Sequence, residues 1–392
     1  MYTLRTVPSA HHRAAPVGSF GLVSSFPPTS CGIATFSAAL SAGLVACGSS
    51  VDVVRSGAAP DLEDALVVAA LGDGSRHQIE AATEALNHTD VVIVQHEYGL
   101  YDGLDGESII DLLSGVEVPI IVVAHTVLSE PTPHQRAVLE QVCRLAQVVV
   151  VMTATARDRM VAGFDVAPAK VTVIPHGATT PRSTEASDPD RPARRAPLAL
   201  TWGLLGPGKG IEWAIDAMAQ LVDLRPSPEY LVAGATHPKV RERSGESYRR
   251  MLVERAGGSP ARSQISFDDT YRDLESLTRL IRTADVVVLP YDSDEQVTSG
   301  VLVDAVAAGR PVVSTAFPHA VELLASGAGI VVPQRDPDAL AGAIRTVLTD
   351  HRRAASMAAE ARRLAPDLSW GSVARHYQDL GRLVSRPPAV VS

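Results

Sequence analysis

Short apolar runs recur along the chain, each separated from the next by a segment long enough for one helix. In the first half these runs are a stretch from Val17 to Ser24, then VDVV (51–54), DALVVAAL (64–71), DVVIVQ (90–95), VPIIVVA (118–124), QVVVVM (147–152) and KVTVI (170–174). In the second half they are LALTW (198–202), EYLVAG (229–234), QISF (264–267), ADVVVLP (284–290), PVVST (311–315) and GIVVP (329–333). Most are rich in Val and Ile and apolar throughout instead of alternating. This predicts strands covered on both faces, that is, two parallel sheets flanked by helices, an α/β fold with two Rossmann-like domains. Open parallel sheets of this kind put a ligand crevice at the carboxyl ends of their strands. The stretch 176–197 interrupts the rhythm with Pro181, Pro189, Pro192, Pro197 and several charges, and its residues 181–197 are read as a linker. The predicted division is 1–180, with a loose leader over 1–15, then the linker, 198–368, and a last segment 369–392. The tail carries two helical stretches, Pro337 to Leu364 and Ser369 to Leu383, either side of Pro366.

A chain of 392 residues, 46% hydrophobic and 20% charged, is long enough for two domains with their own cores. Its net charge of −9 is concentrated in residues 1–190, where 10 Lys+Arg face 21 Asp+Glu. That balance argues against a nucleic-acid groove or an electrostatic hold on anionic lipid. Cys31, Cys47 and Cys143 have neither metal-ligand nor disulfide-framework spacing. No secretory signal and no membrane-length apolar run is read, so a soluble cytoplasmic protein without stable membrane insertion is expected.

Two loops carry candidate chemistry. DEQVTSGVLVDAVAAGRPVVST (294–315) reads as a polar loop, a short helix capped by Thr298 or Ser299 and closed by Gly309, and a strand. The free N–H groups near Gly300 and Val301 would attract phosphate, and Asp304 one turn on could accept a ribose hydroxyl. GLLGPGKG (203–210) is a strand-to-helix loop holding one of only three lysines in the chain. It nearly matches the phosphate loop of nucleotide triphosphatases, but Gly210 stands where those carry a magnesium-binding Ser or Thr. Lys209 is well placed against a diphosphate. In the first half, QHEYG (95–99) brings His96 and Glu97, and HTVLSEPTPHQ (125–135) brings His125, to strand ends that face the second domain.

Taken together, PPTSCGIATF, HTVLSEPTPHQ, VVVMTATA, VIPHG, GLLGPGKGIE, ADVVVLPYDS and QVTSGVLVDAVAAGRPVV stand in an order and spacing that resemble the retaining GT-B glycosyltransferases, specifically glycosyltransferase family 4. The resemblance implies transfer of a sugar from a nucleotide diphosphate sugar, bound mainly to the second domain, to a hydroxyl acceptor bound mainly to the first. The acceptor would be a saccharide, a lipid-linked group or a small molecule, held near His96 and Glu97. Gly32 would lie near the donor phosphates and His125 in the donor-sugar pocket. Gly206, Gly208 and Lys209 would hold the diphosphate, Thr298, Ser299 and Gly300 would offer it the helix start, and Asp304 would take the ribose. Asp268 and Tyr271 would fall near the base. The last helix, near Trp370, would cross back to the first domain. Two departures stand out. Leu204 occupies a position where many members carry arginine, and Gln296, with Glu295 beside it, stands where they carry the first of two glutamates. His125, Lys209, Gln296 and Glu295 are the catalytic candidates. No cofactor and no metal are expected, since a lysine and a helix start can meet the leaving charge. A GT-B phosphorylase, a nucleotide-sugar epimerase, or a nucleotide-sugar-binding protein with weakened catalysis are the alternatives.

Overall fold

The computed structural model describes residues 17–29, 31–57, 64–72, 74–179, 196–270 and 272–385. The leader, nearly all of the proline-rich linker, and Tyr271 lie outside them. The first half contains β1 (Ser19–Ser24), α1 (Gly32–Ala46), β2 (Ser50–Arg55), β3 (Val67–Ala70), α2 (Arg76–Asn87), β4 (Val91–His96), α3 (Ile109–Ser114), β5 (Ile120–Ala124), α4 (Pro133–Leu145), β6 (Val148–Val151), α5 (Ala154–Gly163) and β7 (Val171–Val173). The second contains β8 (Leu198–Trp202), α6 (Ile211–Ala219), β9 (Glu229–Ala233), α7 (Pro238–Ser244), α8 (Ser247–Gly257), β10 (Ile265–Asp268), α9 (Leu274–Thr283), β11 (Val286–Leu289), α10 (Gly300–Ala307), β12 (Val312–Thr315), α11 (Pro318–Leu324), β13 (Gly329–Val332), α12 (Pro337–Thr349), α13 (His351–Leu364) and α14 (Trp370–Val384).

Every strand pair is parallel. The strand orders are β3-β2-β1-β4-β5-β6-β7 and β10-β9-β8-β11-β12-β13. Apolar residues on both faces of each strand meet helices on both sides, which gives two core clusters per sheet. In each sheet the chain reverses direction of travel once, between β1 and β4 and between β8 and β11. A crevice opens outside the carboxyl ends of those strands, and those ends and the loops leaving them carry Gly32, His96, Glu97, Lys209 and the stretch from Glu295 to Ser299, while His125 follows the neighbouring β5.

The stretch 337–364 is two helices, not one. Asp350 ends α12, and its side chain accepts the amide of Arg353 in the first turn of α13, so a carboxylate that favours a cap breaks the periodic run. The chain leaves the first core between Ile174 and Ala178, ahead of the proline-rich stretch. It returns between Leu368 and Trp370. α14 then packs on α1 with Val373, Ala374 and Tyr377 fully buried. A Cβ on Gly43 would stand 2.9 Å from that of Ala374, so the bare glycine lets the two helices cross closely. Gln378 donates to Ser49 Oγ at 2.8 Å and to the Cys47 carbonyl at 3.2 Å, tying α14 to the loop before β2.

Candidate active site

On the second-domain side, β8 runs into the loop Gly203–Gly210. Gly203, Gly208 and Gly210 have φ of 116°, 87° and 60°, the left-handed region where a side chain is strained. At Gly210 a Cβ would also overlap the Pro290 carbonyl oxygen at 1.9 Å. A Ser or Thr is therefore sterically barred there, which accounts for the departure from the triphosphatase loop. A Cβ on Gly206 would stand 3.1 Å from the Val240 side chain of α7. Lys209 places its ammonium 4.2 Å from the centre of the Tyr291 ring. It has no hydrogen bond or ion pair to any described residue, so its charge remains for a ligand.

The helix start lies at the end of the loop after β11. Ser299 caps α10, accepting the Leu302 amide at 3.3 Å, and its own amide donates to His319 Nδ1 at 2.8 Å. Since an amide only donates, His319 is neutral with its proton on Nε2. Burial, reinforced by His176, holds its pKa down to about 3. The amides of Gly300 and Val301 have no acceptor among the described residues. A Cβ on Gly300 would come within 2.9 Å of His176 Nε2, so the bare glycine admits that ring. His176 donates from Nδ1 to the Gly177 carbonyl at 2.6 Å, and burial lowers its pKa to about 4. One turn along α10, half-buried Asp304 has no side-chain partner among the described residues, and burial of its carboxyl raises its pKa to about 7. Thr298 Oγ1 is buried without a partner. Gln296 donates to the Thr298 carbonyl, and its own carbonyl accepts the His319 amide at 3.3 Å.

Across the crevice, His125 follows β5 and is hydrogen-bonded through Nε2 to Gln95 Oε1 at 2.6 Å. Phe36 of α1 packs edge-on against both His125 and His176, each with centroids 5.0 Å apart. Burial, then His176 and His96, lower the His125 pKa to about 3. His96 ends β4, with both ring nitrogens buried and unpartnered and a pKa lowered to about 4 by burial. Glu97 accepts from the Thr126 hydroxyl, and burial raises its pKa. Gly32 opens α1, exposed, after the N-cap Cys31. His125, His176, His319, Gly300 and the Ser299 cap thus form one connected set. Asp268 stands apart at the end of the edge strand β10. Bonds from the Thr270 side chain and amide and from Arg272 hold its carboxyl at about 2.

The two domains meet beside this set. Glu295 accepts the Ser129 amide at 2.9 Å, the Ser129 hydroxyl, and Arg159 Nη1 at 3.0 Å, so its carboxylate is committed to the first domain. Val297 is buried in the first domain's core, and its carbonyl accepts from Thr153 Oγ1 at 3.1 Å. Glu322 of α11 accepts the amides of Ala154 and Thr155 at 2.8 and 2.9 Å, capping α5 from the other domain. Lys239 donates to the Gly99 carbonyl at 2.9 Å. A separate groove of about 790 Å³ between α2 and α3 is lined by none of the candidate residues. His176, His319, Tyr291 and Arg159 contact the candidate residues Gly300, Ser299, Lys209 and Glu295, and no local pattern singles them out. The signals were that His176 sits in VIPHG and Tyr291 in ADVVVLPYDS, both motifs of the resemblance.

Residues 196–350 match the family model described as glycosyl transferases group 1, and residues 31–182 the model described as glycosyltransferase family 4. Among curated relatives, the D-inositol 3-phosphate glycosyltransferase of Corynebacterium efficiens is 27% identical over 283 residues, 67% of this chain and 65% of that protein. The chain thus spans a little under two thirds of that relative's length. A glycogen synthase of Mycobacterium tuberculosis is 29% identical over 242 residues, covering 61% of this chain and 54% of the synthase. Among solved structures, Anabaena HepE in complex with UDP-glucose superposes with a TM-score of 0.71 at 15% identity, covering 92% of this chain and 98% of HepE. Matched in both halves by these models and over nearly its full length by that architecture, the chain belongs to the GT-B glycosyltransferases.

Proposed function

We propose that this protein is a retaining glycosyltransferase that moves a sugar from a nucleotide diphosphate sugar to a hydroxyl acceptor without a metal ion. The observation that carries the reading is the start of α10. Two free amides, a serine cap held by a neutral imidazole, and an unpartnered Asp304 one turn away occupy the second sheet's crevice, and Lys209 ends the loop beside it. As the sugar–phosphate bond breaks, negative charge grows on the leaving diphosphate. The α10 amides and Lys209 stabilise that charge, each such donor lowering the barrier by on the order of 3 kcal/mol. Asp304 accepts the ribose hydroxyls. His125 and Gln296 touch the donor sugar from opposite walls, and the acceptor enters beside His96 and Glu97. Attack from the face of the departing phosphate, which takes the acceptor's proton, retains the anomeric configuration. Metal independence is supported by Gly210, whose position has no room for the hydroxyl that holds magnesium in triphosphatase loops.

The neighbour solved with UDP-glucose is in line with a nucleotide-sugar donor, and the relative named for inositol phosphate with a hydroxyl-bearing acceptor. The test is release of nucleoside diphosphate from a panel of nucleotide sugars, with and without hydroxyl acceptors and with EDTA. Acceptor-dependent, EDTA-resistant release with a retained anomer in the product supports the proposal. Donor turnover without acceptor would identify an epimerase, a requirement for inorganic phosphate a phosphorylase, and binding without turnover a weakened relative.

A further inference from the structure

We propose that Arg159 is a positioning residue that sets the register between the two walls of the site, an inference that rests on the glycosyltransferase reading. Arg159 lies on α5 of the first domain, outside every motif of the family resemblance. Its Nη1 donates to Glu295 Oε2 at 3.0 Å and to the Val127 carbonyl at 3.5 Å, and its Nη2 donates to the Asp294 carbonyl at 2.8 Å. Val127 is two residues past His125, and Asp294 and Glu295 directly precede Gln296. One guanidinium therefore holds the loop that presents His125 and the loop that leads into the α10 start. Ser129, four residues past His125, closes the same ring through its amide and hydroxyl on Glu295. The ring lies beside Val297, whose side chain is inserted in the first domain's core.

The planar fork of arginine is what this role needs. It bonds a carboxylate and two carbonyls at fixed angles, whereas lysine supplies a single point charge. Neither Arg159 nor Glu295 has to touch substrate. Loss of the ring displaces His125 and Gln296 relative to the diphosphate subsite, and misplacement on the scale of an ångström costs roughly 10- to 100-fold in rate.

The test compares wild type with Arg159→Ala, Arg159→Lys and Glu295→Gln. Amide hydrogen exchange on the unliganded protein should speed up together in residues 125–130 and 294–301 of Arg159→Ala, with the β5 and β6 core unchanged. Acceleration limited to α5, or to only one of the two loops, overturns the proposal, and this readout stands whether or not the chain transfers sugar. With a donor and acceptor in hand, kcat should fall at least tenfold in Arg159→Ala and Arg159→Lys. Affinity for UDP or GDP, whichever the wild type binds, should stay within twofold. A kcat left intact in Arg159→Lys, or an equal loss of nucleotide affinity, also overturns it. If Arg159→Ala does not fold, Arg159→Lys and Glu295→Gln, which keep most of the side-chain volume, decide by the same two readouts.

Discussion

His319 Nδ1 holds the amide of Ser299 at 2.8 Å, so the residue that caps α10 is itself fixed by a buried neutral ring twenty residues along the chain. Replacing His319 with Leu should free that amide and let the helix start drift. Leaving a buried donor unpaired costs about 1–3 kcal/mol. Affinity for nucleoside diphosphate should also fall about tenfold. Thermal denaturation and calorimetric titration of the variant measure both, and unchanged affinity would remove His319 from the site's support.

Lys209 and His125 should separate cleanly. Lys209 approaches from the second domain with an unpaired charge, so Lys209→Ala should weaken binding of the bare nucleoside diphosphate and lower the rate. His125 stands on the opposite wall. His125→Ala should lower kcat with little effect on that affinity, the mark of an interaction made chiefly in the transition state. Titrations beside steady-state kinetics decide. The reverse pattern would place the donor in the first domain.

Asp304 makes nucleotide binding depend on pH. Its carboxyl, raised to about 7 by burial, is partly protonated in the empty site at neutral pH. Ribose hydroxyls donating to it favour the ionised form, so binding should release protons and tighten as pH rises from 6 to 8. Calorimetry in buffers of different ionisation enthalpy reads the proton release. Asp304→Asn should abolish the part that belongs to this group, leaving only the titration of the phosphate.

The buried imidazoles act on stability with the opposite sign to Asp304. His96 and His319 are 1% and 4% exposed, with pKa lowered to about 4 and about 3. The unfolded chain takes up these protons near pH 6.5 while the native state cannot. Their contribution is therefore complete above about pH 6.5 and is lost as pH falls towards the native values. For each ring the loss by pH 5 is about 2 kcal/mol. Chemical denaturation at pH 7 and pH 5 should show it, and His319→Gln should flatten the slope. The raised carboxyl of Asp304 offsets part of it over the same range.

Gly210→Ser would complete the triphosphatase pattern and should not create a magnesium site. The left-handed backbone and the Pro290 carbonyl make the change destabilising by about 2–4 kcal/mol. A fall in melting temperature with no magnesium-dependent recovery is the expected result.

Strand runs such as VVVV (148–151) and VVVL (286–289) announced both sheets because a strand covered on each side has no polar positions to confuse the pattern. The α10 start was legible for a similar reason: cap, glycine and apolar spacing are all local signals. The missing side chain of Gly300 also makes room for His176, a contact that no local pattern announced. His319 and Arg159 were invisible because their partners lie 20 and about 135 residues away and neither sits in a periodic or motif context. Glu295 looked like a stand-in for a catalytic carboxylate from its place in the loop. Only the folded chain brings Ser129 and Arg159 to it. The carboxylate cap that splits α12 from α13 was hidden by an apolar periodicity that carries on across Asp350.

The chain crosses between domains twice, and the two crossings touch. The Ala178 amide donates to the Leu368 carbonyl at 2.7 Å, and the Trp370 amide to the Ala178 carbonyl at 3.2 Å. Topologically the second domain is a loop inserted into the first, pinched at its neck by a two-bond clasp. Both covalent crossings therefore pass through a single point, and His176, beside Gly300, is lodged in that neck. A truncation before Trp370 would strip a helix from the lobe that begins the chain and leave the inserted lobe's own two core clusters whole.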